Sequence, residues 1–286
     1  MDNGLLRTAV RSAYDLQQVR IQMGLRLVGN FKAKLGQEAG IKEKELSDKD
    51  RKLIEDLRKS YRRITDGVTK VNLKNFEGDE LISTFTEYNL IKNYTVLDDQ
   101  ESQQFKLLEY ELKNFPIYNE FLKGVKGCGT AMSGVILSEI DIHKAKYASS
   151  IWKYAGVDVA QDGKGRSNKK EHLIKVKYLD KKGKEQERNS ITYNPFLKTK
   201  LLGVLGASFR MTAKEEKYAK AYYNYKNRME NHKVYKDTTK LHRHNMANRY
   251  SVKIFLIDLY ENWRALENLV VHKPYAEAKL GIKHEG

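Results

Sequence analysis

The sequence predicts a mainly α-helical protein with one small β-hairpin in its C-terminal half. Only three prolines occur among 286 residues, so long stretches carry no helix breaker. Apolar residues recur every three or four positions in these stretches, which are rich in Leu, Lys, Glu, Arg and Ala. Between residues 174 and 193 the period changes to alternation, which indicates two strands. A hydrophobic content of 40% is enough for a sizeable core.

Residues 1–115 predict an N-terminal helical hairpin or short coiled-coil bundle. A long first helix is expected to end near Gly36. A second begins with Ser47 or Asp48 as its N-cap and ends at Gly67. The apolar stripes of these helices, and of a third one beginning at the DDQES segment, are Leu6, Val10, Ala13, Ile21, Leu25 and Val28, then Leu53, Leu57, Tyr61 and Ile64, then Phe105, Leu108, Leu112 and Phe115.

Residues 116–286 predict a second domain of shorter and more varied elements. One helix follows a glycine-rich turn, and a second, in KYASSIWKYAG, ends at Gly156. The two strands enclose a turn at Asp180–Gly183, and Lys175 and Lys177 cover one strand face. The last three helices are expected from Pro195 to Phe209, over residues 214–230, and through the stripe Val252, Phe255, Leu256, Leu259, Trp263 and Leu266.

The net charge of +16 is concentrated in the second of these domains. Residues 1–116 hold 20 Lys and Arg against 19 Asp and Glu, whereas residues 117–286 hold 33 against 18. A dispersed positive charge of this size favours a polyanion, because binding to phosphates releases condensed counterions. Nucleic acid is therefore the expected partner class, ahead of an anionic membrane or a small acidic substrate.

Composition also excludes several classes of protein. Cys128 is the only cysteine, so neither an intrachain disulfide nor a cysteine-based zinc cluster can form. No apolar run approaches the length of a membrane span, and the N-terminus lacks the pattern of a signal peptide. We expect a soluble intracellular protein without a membrane partner, a metal or another cofactor.

The segment LKGVKGCGTAMSGVILSEI, Leu122–Ile140, places three glycines before an apolar helix. This order of apolar residue, glycine, small residue and glycine is the helix-hairpin-helix pattern, in which amide groups at the next helix N-terminus suit a phosphate. Gly127 and Gly129 are therefore candidate phosphate contacts, and Lys123 and Lys126 add positive charge. The alternative is a corner between two helices that binds no ligand.

A basic segment lies between Gln161 and Lys200, with 12 basic and 5 acidic residues. In GKGRSNKK, glycines alternate with Lys164 and Arg166, which predicts a loop that follows a phosphate backbone closely. The alternative is a solvated surface. Just before this segment, Trp152 is a candidate for stacking on a base or for burial in the core.

The segment HRHNMANRY, His242–Tyr250, concentrates polar side chains just before the last predicted helix. They are candidates for hydrogen bonds to RNA or phosphate, with a structural cap as the alternative. Two histidines without a third ligand do not make a metal site. The full set of predicted nucleic-acid-binding residues is Lys123, Lys126, Gly127, Gly129, Lys146, Trp152, Lys153, Lys164, Arg166, Lys169, Lys170, Lys175, Lys177, Lys198, Lys200, His242, Arg243, His244, Asn245 and Arg249.

Several motifs between Tyr118 and Phe209 occur together: the VKGCG turn followed by Thr-Ala, the helix end SEIDI, the YAG of WKYAG, and the segment ITYNPFLKTKLLGVLGASF. In this combination the chain resembles the C-terminal domain of RNA-guided insertion-sequence transposases of the DEDD class. Those enzymes also carry a RuvC-like domain and a nucleophilic serine in a loop after YAG. Here the preceding residues predict helices, and Ser167, displaced by several positions, is the only candidate nucleophile.

Without those catalytic parts, the pattern is similar to a stand-alone Nop domain with its coiled coil, as in box C/D RNA-binding proteins and the nuclease-free Tas proteins of TIGR-Tas systems. The resemblance implies a homodimer that holds a short guide RNA with box C/D-like elements. Pairing between the guide and its target would direct the protein to double-stranded DNA, which it would not cleave. The protein itself would recognise the shape and backbone of the duplex. It also implies a cytoplasmic location in a prokaryotic cell or its virus.

Two other functions stay open on the sequence alone. One is a transposase or recombinase whose chemistry depends on Ser167 or on a nuclease supplied in trans. The other is an architectural DNA-binding protein that uses no guide. No residue is predicted as catalytic under the favoured interpretation.

Overall fold

The computed structural model describes residues 3–36, 45–59, 82–212 and 215–273. Over these residues the protein is mainly helical with a small two-stranded antiparallel sheet, which confirms the predicted fold class. The described residues form two compact units, one within Thr8–Leu107 and the other within Met1–Arg7 and Leu108–Gly286. The division into domains 1–115 and 116–286 stays a prediction.

The described part of the unit within Thr8–Leu107 contains three helices, whose packed side chains include Leu27, Phe31, Ile54 and Ile91. They are α1 (Asn3–Lys34), α2 (Asp48–Lys59) and α3 (Phe85–Leu112). As predicted, α1 ends beside Gly36, whose φ is 82°. Ser47 is the N-cap of α2, because its Oγ accepts the Asp50 N–H at 3.1 Å. The predicted end at Gly67 lies outside the described residues.

The start of α3 differs from the prediction. The helix begins at Phe85, and Asp98, the predicted start, lies in its middle. The reason is a capping box: Thr84 Oγ1 accepts the Glu87 N–H at 3.2 Å, and the Glu87 carboxylate accepts the Thr84 N–H at 3.1 Å. Asp98 and Glu101 therefore do not complement a helix start, and both form ion pairs with Arg20.

The predicted stripe on α1 is only partly buried. Leu6, Val10 and Val28 have at most 6% of their surface exposed, whereas Ile21 and Leu25 expose 47% and 68%. These two residues are four positions apart and so lie on one helix face. That face of α1 is apolar and open to solvent in the single chain.

The other unit carries the remaining helices and the sheet. In chain order they are α4 (Pro116–Glu120), α5 (Thr130–Glu139), α6 (Ala148–Tyr154), β1 (Ile174–Leu179), β2 (Glu185–Ser190), α7 (Pro195–Thr199), α8 (Gly206–Thr212), α9 (Lys217–Glu230) and α10 (Lys240–Leu266). The longest of these helices, α10, supplies much of the core, with Phe255, Leu259 and Tyr260 fully buried. Helix α9 packs along it.

The predicted β-hairpin is confirmed, but both of its faces are largely exposed. Strands β1 and β2 pair from Ile174 with Ser190 to Leu179 with Glu185. Ile174 is 49% exposed and Leu179 is 70% exposed. The hairpin therefore adds little to the core.

The helix predicted from Pro195 to Phe209 is continuous but contains a π-helical segment, Lys200–Leu205, between α7 and α8. Asn248 of α10 explains the irregularity, because its Nδ2 donates to the Leu202 carbonyl at 2.9 Å. The Asn248 carboxamide also fills the space where a side chain at Gly206 would lie. Such π segments occur frequently at functional sites.

Candidate nucleic-acid interface

A cavity of about 300 Å³ opens between α9, the chain that follows it, α10 and a short loop of residues 157–166. We call this loop the Gly165 loop and this opening the cationic cavity. No Asp or Glu is among the described residues that line it. The lining residues are Val159, Gly163, Lys164, Gly165, Tyr225, Tyr235, His242, Asn245, Met246, Arg249, Tyr250 and Lys253.

The Gly165 loop has a fixed conformation. The Ala160 N–H donates to the Lys164 carbonyl at 2.8 Å, and the Arg166 N–H donates to the Asp158 carbonyl at 3.2 Å. The Arg166 guanidinium also binds the Asp158 carboxylate with contacts of 2.7 to 2.9 Å. The predicted basic loop is thus ordered, but Arg166 is largely buried in an ion pair rather than free to meet a phosphate.

Arg249 lines the cationic cavity and is partly buried. Its guanidinium lies against Gly165, in the space that a β-carbon there would occupy. Its Nη1 is buried and has no hydrogen-bond partner within the described part of the chain. Burial is the main cause that lowers the pKa of Arg249, while Asp158 acts in the opposite direction.

For two lysines near Arg249, the nearby negative charge does not offset the effects of burial and of repulsion between cations. Burial lowers the pKa of Lys253, and Arg249 adds to this effect. Lys198 donates to the Arg166 carbonyl, and burial followed by repulsion from Arg249 lowers its pKa to about 8. Asp158 opposes both shifts but is already bound to Arg166. The group therefore holds uncompensated positive charge, which is typical of functional sites.

Three tyrosines also line the cationic cavity. Tyr225 and Tyr250 stack with ring centroids 4.5 Å apart and an interplanar angle of 27°. Arg228 lies 4.7 Å from the Tyr225 ring centroid and 5.9 Å from that of Tyr250. Tyr235 completes the aromatic lining. Rings beside cations are the arrangement that binds unpaired bases and their phosphates.

The HRHNMANRY segment lies inside α10, not before it as predicted, because Thr239 caps that helix and its Oγ1 accepts the His242 N–H at 3.1 Å. His242 and Asn245 line the cationic cavity. Arg243 does not, because its Nη1 binds the carbonyls of Lys236 and Thr238. Its role in the structure is to hold the chain that precedes α10.

His244 points to a second cavity, of about 400 Å³, which shares Asn245 and Arg249 with the first. Its Nδ1 is 2.6 Å from the Tyr222 hydroxyl. Burial, followed by the nearby Arg210, lowers the pKa of His244. Arg210 donates to Asn248 Oδ1 at 2.6 Å and also lines this second cavity. The two cavities thus adjoin along α10.

The glycine turn packs inside the fold. Gly127 has a φ of 91°, and a side chain there would press against Phe209, Ser208 and Thr212 at 3.1 to 3.2 Å. Lys126 binds Glu216 at 2.7 Å. This geometry favours the helical corner over the phosphate contact at Gly127, whereas Lys123 and Gly129 are exposed.

The hairpin lysines are paired as well. Lys175 lies 3.7 Å from Glu187, and Lys177 lies 3.1 Å from Glu185 across the sheet. Such exposed pairs contribute little to stability, but they cancel the charge of this strand face.

The other predicted contacts are spread over the surface of the unit. Lys146, Lys153, Lys169 and Lys170 are exposed, and none of them lines the cationic cavity. Lys200 lies 5.6 Å from the Phe196 ring centroid. Trp152 is partly buried, and the Lys253 Nζ lies 5.1 Å from the centroid of the Trp152 ring. The Trp152 Nε1 has no hydrogen-bond partner among the described residues.

Sequence reasoning missed Tyr225, Tyr235, Tyr250, Lys253 and Arg210 as parts of this surface. The sequence shows a concentration of tyrosines within α9 and shortly after it, and helical spacing places Tyr250 and Lys253 within about one turn of Arg249. Charge density alone does not point to them, because three of the five are tyrosines and Lys253 lies among the apolar residues of α10.

Ser167 makes contacts that resemble part of a catalytic arrangement. Its Oγ is 2.9 Å from His172 Nδ1, and His172 Nε2 is 3.3 Å from Asp162 Oδ1. However, the Ser167 N–H also donates to Nδ1 at 3.0 Å, and Nε2 is not aligned for a hydrogen bond. The same contacts hold the turn before β1. In the described residues, no group of three or more His, Cys, Asp or Glu could hold a metal ion.

Comparison with family models, with curated proteins and with solved structures gives no significant match. Among the described residues, no helix has the length and apolar character needed to cross a membrane.

Proposed function

We propose that this protein binds a short guide RNA with box C/D-like elements and, through guide pairing, a double-stranded DNA target that it does not cleave. The observation that supports nucleic-acid binding is the cationic cavity, where Lys164, Arg249 and Lys253 converge and no carboxylate is found among the described lining residues. The guide RNA, the DNA target and the homodimer rest on the sequence resemblance of Tyr118–Phe209 to RNA-guided proteins.

The charge distribution favours a polyanion over a small anionic substrate. A small anion needs one or two cations, whereas residues 117–286 carry 33 Lys and Arg against 18 Asp and Glu. Exposed lysines away from the cationic cavity, such as Lys146 and Lys169, give a longer nucleic acid further phosphate contacts. Such contacts hold a strand in place without reading its sequence.

Sequencing the nucleic acid that co-purifies with the full chain tests this proposal. We expect a discrete population of short RNA. Recovery of random DNA fragments alone would overturn the guide and favour an architectural DNA-binding protein. Lys164→Gln with Lys253→Gln should reduce RNA retention. The matched control, Lys175→Gln with Lys177→Gln, removes the same charge from lysines already paired with glutamates and should retain RNA.

A second candidate function is a recombinase or nuclease that uses Ser167, and the His172 contact is the observation that favours it. Ser167 Oγ would attack a phosphodiester phosphorus as its proton passes to His172 Nδ1, and the bond to the leaving oxygen would break. The test is nicking of supercoiled DNA, with and without a nuclease-containing partner fraction. If the unaltered chain nicks the DNA and Ser167→Ala does not, this function is established. If the DNA stays intact with the unaltered chain and with Ser167→Ala, the non-cleaving proposal is supported.

A further inference from the structure

The cationic cavity differs from an ordinary duplex-binding surface in its shape. Arg249 and Lys253 lie within a concave site of about 300 Å³. This volume is at the lower limit of small-molecule sites, which are roughly 300–1,000 Å³. The cavity has room for a single unit of a strand rather than for a double helix.

The chemistry of the lining divides into two parts. Arg249 and Lys253 supply positive charge. The stacked pair Tyr225 and Tyr250 supplies an aromatic face, and both tyrosines are partly exposed. A phosphate suits the first part and the flat face of a base suits the second. Both groups occur together in one nucleotide.

We propose that the cationic cavity holds one unpaired nucleotide of the bound RNA, with its phosphate on Arg249 and Lys253 and its base stacked on the Tyr225–Tyr250 pair. This inference rests on the proposed function, because it assigns the cavity to the guide strand. The stacked nucleotide anchors the RNA in one register. The Gly165 loop also lines the cavity, and Gly165 lies against the Arg249 guanidinium.

RNA binding by variants of the full chain, freed of co-purified nucleic acid, tests the aromatic part. Tyr250→Leu should weaken binding of a single-stranded RNA oligonucleotide at least about fivefold, the lower limit for loss of one stacked base. Tyr250→Phe keeps the ring and should bind as the unaltered chain does. Tyr178→Leu is the matched control, because Tyr178 lies on the exposed hairpin, 5.2 Å from Arg188, away from the cavity. Thermal unfolding of each variant verifies that it is folded.

Mononucleotide binding to the unaltered chain tests the same site without a substitution. In calorimetric titrations, adenosine 5′-monophosphate should bind more tightly than adenosine or inorganic phosphate alone, and Arg249→Gln should remove this preference. Equal binding of all three probes would overturn the nucleotide assignment, as would equal loss of RNA affinity in Tyr250→Leu and Tyr250→Phe.

The outcomes separate this inference from the proposed function. If a discrete RNA co-purifies but neither Tyr250→Leu nor the mononucleotide behaves as expected, the cavity assignment is wrong and the guide-RNA function stands. If adenosine 5′-monophosphate binds but no RNA co-purifies, the guide-RNA function is wrong, and with it the assignment of the cavity to the guide strand.

Discussion

The guanidinium group of Arg249 lies directly against Gly165, so that the α10 side chain and the Gly165 loop approach each other more closely than any other residue at position 165 would allow. Glycine is required at position 165 for space and not for its backbone conformation, because the φ of Gly165 lies outside the left-handed region. Arg249 lines the cationic cavity, and its Nη1 is buried without a hydrogen-bond partner among the described residues. The position of the cation depends on the absence of a side chain on the facing loop.

Gly165→Ala should therefore weaken RNA binding with little loss of stability. The added methyl group meets only the end of a flexible side chain, which can move away. We expect an affinity loss of about tenfold, because a hydrogen bond to a charged group contributes roughly 1.5–3 kcal/mol. Filter binding and thermal unfolding measure the two effects. Gly29→Ala, where the methyl group meets nothing within 4 Å, is the control and should leave RNA affinity unchanged.

The ion pair of Asp158 with Arg166 should determine the stability of the Gly165 loop. Arg166→Gln leaves a mostly buried carboxylate without its partner, and loss of one partner of a buried pair costs about 3 kcal/mol or more. Urea unfolding should show this loss, whereas Lys170→Gln, at an exposed position, should change the free energy of unfolding by less than about 0.5 kcal/mol. Equal stability of the two variants would contradict a structural role for Arg166.

Helices and the hairpin could be predicted because their signals are local. The glycine turn before α5, the break at Gly156 and the alternation of β1 are each contained in a few neighbouring residues. The early start of α3 was missed because its signal is the capping box of Thr84 and Glu87, which precedes a stretch without a clear apolar stripe.

The candidate site was only partly predictable, because pairing between distant residues decides which charges are available. Lys126 is paired with Glu216, 90 positions away, and no local pattern shows this. The glycines of GKGRSNKK predict a loop that can follow a phosphate backbone, whereas in the structure Gly165 makes room for the Arg249 side chain. Charge density points to the basic region as a whole, whereas burial and pairing between distant residues decide which of its cations have a counter-charge.

The exposed apolar face of α1 leads to a prediction about the expected homodimer. If Ile21 and Leu25 pack against a second copy of the chain, Leu25→Glu should place a charge in that interface and produce a monomer. Sedimentation velocity measures the mass of the unaltered chain and of Leu25→Glu. Leu179→Glu, which introduces the same charge at a residue 70% exposed on the hairpin, should leave the dimer intact. A monomeric unaltered chain would contradict the expectation of a dimer.

Binding of RNA should be accompanied by proton uptake near pH 8 through Lys198. Its pKa is lowered to about 8 by burial and by repulsion from Arg249, so the amine is partly deprotonated there in the free protein. A phosphate on Arg249 adds negative charge and raises that pKa, which makes binding take up protons. RNA affinity should accordingly be highest below pH 8 and fall as the pH rises above it.

Calorimetry at pH 8 in two buffers of different ionisation enthalpy measures this uptake directly. The enthalpy difference between buffers should be clear for the unaltered chain and nearly absent for Lys198→Gln, which cannot titrate. Lys169→Gln removes an exposed lysine outside the cationic cavity and should keep the uptake. Proton release on binding, or equal uptake by Lys198→Gln, would show that the bound phosphate does not act on Lys198, and would place the anion away from Arg249.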